Sequence, residues 1–331
     1  MMRALRFVCA AWILPAGFSL IAFFGFFTNY TTDLFSAAGL AERYHSNVFQ
    51  YRVLGRELVL ALAGAFEPVA AGWPVPRALL TLDPAGTAGA YWAYVVVHTV
   101  STCLGCSLLL AALRRGGRAA TPSIAAEMTV VAVSMTMALA AFVVTPYDGL
   151  FFAFQMAALL VTLALPPAAG LWPLIVITAL AALTRESAYF IPMFYLAVHH
   201  RLVFADRAAR ITFVAVSAAA AVTYLGLRAV VGWAGANSVF YSWQWSYNFE
   251  WTAQTGTAML LAALVLLLAG RRNYPERVWF VVLCLPYLIF VHVFAAPWEW
   301  RLWVPVLVPL AALHVVDERG PSGLGVAGYH A

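Results

Sequence analysis

The feature that most constrains this chain is a series of long apolar segments that are almost free of charge. An apolar helix of about 20 residues is long enough to cross a bilayer core of about 30 Å. Over the whole chain 64% of residues are hydrophobic and 10% are charged, whereas a soluble domain carries about 25% charged residues. The sequence therefore predicts an all-α, polytopic membrane protein and excludes a soluble globular domain.

About ten such segments can be placed along the chain. They cover residues 5–27, 90–113, 123–145, 149–165, 170–184, 188–203, 211–231, 256–270, 278–296 and 302–316. No cleavage signature follows the first segment, so we expect it to be a retained helix. Residues 1–316 are predicted to form one transmembrane domain, and the Gly-rich tail of residues 317–331 is predicted to be disordered.

The positions of the arginines orient these segments. Arg114, Arg115 and Arg118 follow the second segment, and clustered arginines favour the cytoplasmic side. The second segment must then begin outside, which places residues 28–89 in a large external loop. Within this loop we expect one or two helices on the membrane surface, the apolar stretch 57–72 among them. Both termini are predicted to be cytoplasmic.

Cysteine and histidine give no indication of a metal site. Cys103 and Cys106 form a C-x-x-C in the middle of an apolar segment, with no second pair nearby, and helix packing explains them. His98 and His292 have no acids at ligand spacing. We therefore predict no cofactor, and a divalent metal stays an open alternative that the sequence does not indicate.

Charged residues gather on the predicted external side. The stretch 28–56, TNYTTDLFSAAGLAERYHSNVFQYRVLGR, directly follows the first segment and contains Asp33, Glu42, Arg52 and Arg56. Short connections on the same side add Asp148, Arg185, Glu186, Glu299 and Arg301. Charges at the membrane boundary are costly unless they pair or bind a ligand. We therefore predict that they converge on one site.

These residue types fit a reaction on a lipid-linked sugar. A guanidinium matches phosphate oxygens and stays charged, so the external arginines Arg52, Arg56, Arg185 and Arg301 suit a lipid phosphate or diphosphate. A nearby carboxylate can accept the proton of an attacking hydroxyl. The loop 239–254 is rich in aromatic residues; it can form an interfacial belt, or it can stack on a sugar. Tyr51, Trp243 and Trp245 are the candidates for sugar contacts.

Four local patterns, in this order, resemble the GT-C superfamily of integral membrane glycosyltransferases. An acid, Asp33, follows the first helix in Asn29-Tyr30-Thr31-Thr32-Asp33. Phe49-Gln50-Tyr51-Arg52-Val53-Leu54 is similar to a QYRvL element of bacterial members, Thr184-Arg185-Glu186-Ser187 to an (N/T)RE(T/S) element, and Glu299-Trp300-Arg301 to an ExR element before a late helix.

The resemblance implies a polyprenyl-phosphate sugar donor, an external active site and an inverting transfer. It also implies a base in the first external loop, which is Asp33 by position, with Glu42 as the second candidate. The phosphate-binding set would be Arg52, Arg56, Asp148, Arg185, Glu186, Glu299 and Arg301. The implied location is a bacterial cytoplasmic membrane. The implied partners are the donor, a lipid- or glycan-linked acceptor and membrane lipids, with no nucleic acid.

The chain departs from the family in two respects. Asp33 has no second acid beside it, and we expect no large soluble C-terminal domain after the last apolar segment. Simpler roles also remain open. Asp33 and Asp148 can cap helices that begin at the next residue, Arg52 and Arg56 can bind lipid headgroups of any kind, and Glu186 can neutralise Arg185 or Arg301.

Three other classes of protein remain as alternatives. A transporter or flippase fits ten helices, but no inverted repeat or broken helix marks one. A non-catalytic membrane subunit of a glycan-assembly complex would need no acid aimed at a phosphate. A membrane acyltransferase would need a buried histidine beside an acid or asparagine, which is not evident.

Overall fold

The computed structural model describes residues 2–25, 36, 38–40, 42, 48–75, 86–115, 124–141, 145, 147–232, 255–268, 274–294 and 300–315. Helices account for nearly all of these residues, and no strand occurs among them. We number the α-helices α1 (Met2–Val8), α2 (Leu14–Gly25), α3 (Val53–Ala70), α4 (Ala88–Arg115), α5 (Ile124–Ala140), α6 (Asp148–Ala164), α7 (Pro167–Thr184), α8 (Phe190–Ala205), α9 (Arg207–Val231), α10 (Thr255–Leu268), α11 (Tyr274–Phe294) and α12 (Trp300–Val315).

Several of these helices are suited to a membrane. Among the described residues, five segments are long and apolar enough to cross a bilayer: Ala4–Gly25, Ala88–Arg114, Pro167–Thr184, Arg207–Val231 and Tyr274–Val291. Three apolar helices are shorter: Ile124–Ala140, Asp148–Ala164 and Arg301–Val315. The all-helical, apolar architecture agrees with the class expected from the sequence, and the number of ten spans stays a prediction.

A helix lies in the predicted external loop. Helix α3 begins at Val53, four residues before the apolar stretch expected at 57–72, and it is not among the candidate spans. It packs along the first turns of α4, where Val59 is fully buried. Gly89 permits this approach, because a Cβ atom there would lie 2.8 Å from the carbonyl oxygen of Ala63.

Polar contacts mark the two ends of the helix bundle. Arg6 and Arg114 both donate hydrogen bonds to Glu127, at 3.0 Å from Arg6 Nε and 3.3 Å from Arg114 Nη2. We call this end the Glu127 end. Helix α5 runs from there for 17 residues, about 25 Å at 1.5 Å per residue, and the chain then reaches Asp148. We call that opposite end the Asp148 end.

Helices α4 and α6 run in parallel and form the most extensive helix pair at the centre of the bundle. Gly149 packs against His98, since a Cβ atom at Gly149 would lie 3.1 Å from the His98 carbonyl oxygen. Seven residues further along α4, Gly105 packs against the ring of Phe152. These two close approaches fix the depth of Asp148, which is therefore level with the second and third turns of α4.

Candidate functional site

The centre of the Asp148 end is a buried carboxylate between two guanidinium groups. Arg185 Nη1 donates to Asp148 Oδ1 at 2.6 Å, and Arg301 Nη1 lies 3.7 Å from Asp148 Oδ2. Thr145 donates its hydroxyl hydrogen to the same Oδ2. The side chains of Asp148 and Arg185 are only 4% and 5% exposed. A buried charge of this kind needs partners, and here both charges have them.

The ring of Tyr147 joins the arginines into one cluster. Arg301 Nη1 donates to the Tyr147 hydroxyl oxygen at 3.0 Å. The guanidinium carbon of Arg52 lies 4.1 Å from the centre of the ring, and that of Arg185 lies 5.9 Å from it. Guanidinium groups at this distance from an aromatic face are stabilised by cation–π attraction. The cluster of Tyr147, Asp148, Arg52, Arg185 and Arg301 is called the arginine cluster below.

Glu186 completes the cluster on its more open side. Arg52 Nε donates to Glu186 Oε2 at 3.0 Å, and the Glu186 side chain is 26% exposed. Among the described residues, three arginines therefore face two carboxylates. Glu186 is the most exposed of these side chains, Arg52 and Arg301 are each 12% exposed, and Arg185 and Asp148 are the most buried.

Local backbone structure explains why these side chains meet. Asp148 is the first residue of α6, where a carboxylate is favoured by the helix dipole. Arg185 has an extended backbone, with φ −160° and ψ 144°, between α7 and a short 3-10 helix. This break turns its side chain from the end of α7 towards Asp148. Arg301 is the second residue of α12, and its carbonyl oxygen accepts a hydrogen bond of 3.4 Å from Arg185 Nη1.

The capping role considered for Asp148 is not observed. Helix α6 begins at Asp148 itself, and its N-cap residue is Tyr147, which makes no side-chain capping bond. The carboxylate of Asp148 bonds to the side chains of Thr145 and Arg185 instead.

Two other candidates lie near the cluster with different contacts. Arg56 is buried in α3 and forms an ion pair of 2.6 Å with Glu57. Tyr51 is 4% exposed, donates its hydroxyl hydrogen to the Gly232 carbonyl oxygen at 2.8 Å, and has the Arg228 guanidinium 4.0 Å from its ring centre. A sugar could stack on Tyr51 only after Arg228 or the surrounding chain moved.

The remaining candidates are placed as follows. Glu42 is exposed. Asp33, Glu299, Trp243 and Trp245 lie outside the described residues, as does the tail 317–331. In the searched part of the chain, no group of three or more His, Cys, Asp or Glu side chains could hold a metal ion.

Reasoning from charge missed two uncharged residues here: Tyr147, a member of the cluster, and Thr145, which donates to Asp148. Thr145 is the last residue of a predicted apolar segment. A signal was present in Thr145-Pro146-Tyr147-Asp148, because a threonine three residues from an acid in a tight connection can reach its carboxylate.

The fold and the cluster define a class: an all-helical protein with several apolar, membrane-suited helices and a buried charge cluster at one end. No protein-family model, curated protein or solved structure matches the chain.

Proposed function

We propose that this protein is a membrane glycosyltransferase that uses a polyprenyl-phosphate sugar and works at the external face of a bacterial cytoplasmic membrane. The observation that carries this proposal is the convergence of Arg52, Arg185 and Arg301 on one tyrosine at the Asp148 end. These arginines come from three distant parts of the chain. Arginine is suited to phosphate because its planar fork can donate two parallel hydrogen bonds and stays charged.

The acids of the cluster orient the arginines. A carboxylate repels a phosphate, so Asp148 acts as the counter-ion that holds Arg185 and Arg301 in place when no donor is bound. Glu186 does the same for Arg52 and is the more exposed of the two. A donor phosphate would compete with Glu186 for Arg52. The positive field of three guanidinium groups at one place favours an anion in this competition.

The proposed reaction needs one base and a stabilised leaving group. The acceptor hydroxyl oxygen attacks the anomeric carbon of the donor sugar, and the bond from that carbon to the phosphate oxygen breaks. The electron pair of this bond remains on the polyprenyl phosphate, where the arginines stabilise the added negative charge. Asp33 takes the hydroxyl proton. Its role rests on its sequence position, and Glu42 is the alternative base.

The test uses the full chain in lipid nanodiscs. Undecaprenyl phosphate is the binding probe, and a panel of undecaprenyl-phosphate sugars is used to measure transfer. Arg185→Met and Arg301→Met should weaken probe binding about 10-fold to 100-fold, as expected for losing a charged hydrogen-bonding partner. Arg114→Met is the matched control, because Arg114 is also ion-paired but lies at the Glu127 end. It should leave binding unchanged.

Further measurements separate the alternatives. Asp33→Asn should abolish transfer and retain probe binding. If the lipid chain of the probe contributes to binding, excess inorganic phosphate should not displace the probe. Thermal unfolding of each variant identifies any loss due to misfolding. Arg52→Met, which removes an arginine less buried than Arg185, provides a further test of binding. Equal binding by the Arg52, Arg301 and Arg114 variants would reject the phosphate site. Binding without any transfer would favour a lipid transporter.

A further inference from the structure

Helix α12 is interrupted by two prolines close to the arginine cluster. Pro305 and Pro309 both lie inside the helix, four residues apart. A proline has no backbone N–H, so it cannot donate to the carbonyl oxygen four residues earlier. Pro305 therefore removes the partner of the Arg301 carbonyl, and Pro309 removes the partner of the Pro305 carbonyl.

Side chains from other parts of the bundle replace both lost donors. Arg185 Nη1 donates to the Arg301 carbonyl oxygen at 3.4 Å, and Gln155 Nε2 donates to the Pro305 carbonyl oxygen at 2.9 Å. In addition, the Tyr287 hydroxyl donates to the Leu302 carbonyl oxygen at 2.7 Å. The first turns of α12 are thus held by hydrogen bonds from outside the helix, because the helix itself cannot supply all of them.

Gln155 lies on the same face of α6 as Asp148. The two residues are seven positions apart, which is about two helical turns. Helix α6 therefore contacts α12 at two levels, through the charge of Asp148 near Arg301 and through the amide of Gln155 at Pro305. Gln155 is 4% exposed, and its Oε1 atom has no hydrogen-bond partner among the described residues. A leucine or methionine would fill this place without the unsatisfied Oε1 atom, but it would leave the Pro305 carbonyl oxygen without a donor, so packing alone does not explain a glutamine here.

We propose that Gln155 is a positioning residue for the site: its amide replaces the hydrogen bond that Pro309 removes and so fixes where α12 presents Arg301. This inference rests on the proposed function only in assigning phosphate binding to Arg301. The amide orientation follows from the contact itself, since the carbonyl oxygen of Gln155 would repel that of Pro305.

The test is a double-mutant cycle in the full chain in nanodiscs. Gln155→Met keeps the approximate volume and removes the donor. Pro309→Ala restores an N–H that can bond to the Pro305 carbonyl within the helix. The matched control is Thr162→Val, seven residues beyond Gln155 on the same face of α6, because the buried Thr162 hydroxyl has no partner among the described residues. Each variant is measured for undecaprenyl phosphate binding and for hydrogen exchange of the amides at 306–308.

Gln155→Met should raise exchange at 306–308 and weaken probe binding about 5-fold to 30-fold, the range expected for losing one buried hydrogen bond. The double variant with Gln155→Met and Pro309→Ala should show the same hydrogen exchange and probe binding as the Pro309→Ala single variant, within about threefold. Thr162→Val should change neither readout.

The two readouts distinguish this inference from the proposed function. If the unmutated protein does not bind undecaprenyl phosphate, the proposed function fails. Hydrogen exchange in the double-mutant cycle then still decides whether Gln155 fixes the position of α12. Unchanged exchange in Gln155→Met, or an equal effect of Gln155→Met with and without Pro309→Ala, would overturn the inference. Raised exchange with unchanged probe binding would also overturn it, because Gln155 would then stabilise the helix without positioning the site.

Discussion

At the scale of residues, the arginine cluster shows how a charge is kept inside an apolar helix bundle. Asp148 has two guanidinium groups and one hydroxyl around its two oxygens, and its side chain is almost inaccessible. The corresponding acid at the other end, Glu127, also contacts two arginines, but those are 38% and 30% exposed. The two acids therefore have similar partners and different solvation, and burial decides what each contributes to stability.

This difference can be measured with the same chemical change at both positions. Asp148→Asn removes the charge that Arg185 faces, and it should lower the free energy of unfolding by about 3 kcal/mol, because it leaves a buried arginine without its counter-ion. Glu127→Gln should cost less than about 1 kcal/mol, since solvent screens the exposed arginines. Reversible unfolding in mixed micelles provides the comparison. An equal loss in both variants would show that burial does not control these pairs.

At the scale of elements, the sequence predicted the helices better than the contacts between them. Apolar runs marked the helices that became α4 to α12, because membrane-suited helices follow directly from composition. The π-helical segment Cys9–Ile13 between α1 and α2 was not predicted, since a one-residue shift in hydrogen bonding leaves the apolar pattern unchanged. Span counting places Arg185 and Arg301 at the same end of the bundle, and both lie beside Asp148 in the structure.

The role of Gln155 could not be predicted in this way. Gln155 donates to a carbonyl oxygen that lacks a helical donor only because a proline lies four residues later in α12. Nothing near Gln155 in the chain indicates this partner. Helix pairing in three dimensions creates the role.

The close packing of α4 against α6 predicts how a substitution at their contact changes stability. A Cβ atom at Gly105 would overlap the ring of Phe152, which is fully buried and has no space to move into. Gly105→Ala should therefore lower the free energy of unfolding by about 1 to 3 kcal/mol. Gly17→Ala is the control, because no atom lies within 4 Å of its Cβ position, and it should be neutral or stabilising. A stable Gly105→Ala protein would mean that the two helices are not in close contact.

At the scale of the whole molecule, the two polar ends connect the fold to the proposed function. The Glu127 end contains Arg6, Arg114 and Glu127. Arg277 also lies there, 3.4 Å from His314 near the end of α12. The arginine cluster occupies the opposite end. Successive helices of the bundle run alternately from one end to the other, so Met2 and Val315 both lie at the Glu127 end. This is the arrangement expected if both termini are cytoplasmic.

Cysteine labelling in intact cells tests this arrangement. Trp73 is 41% exposed and packs against Trp92 in the first turns of α4, at the Asp148 end. Arg207 is exposed at the start of α9, at the Glu127 end. A membrane-impermeant maleimide should modify Trp73→Cys from outside and should modify Arg207→Cys only after the membrane is permeabilised. The unmutated protein is the control, because its described cysteines are buried or partly buried. Labelling of both variants from the same side would place the two polar ends on one face of the membrane, and the arginine cluster could then not serve an external reaction while the termini remain inside.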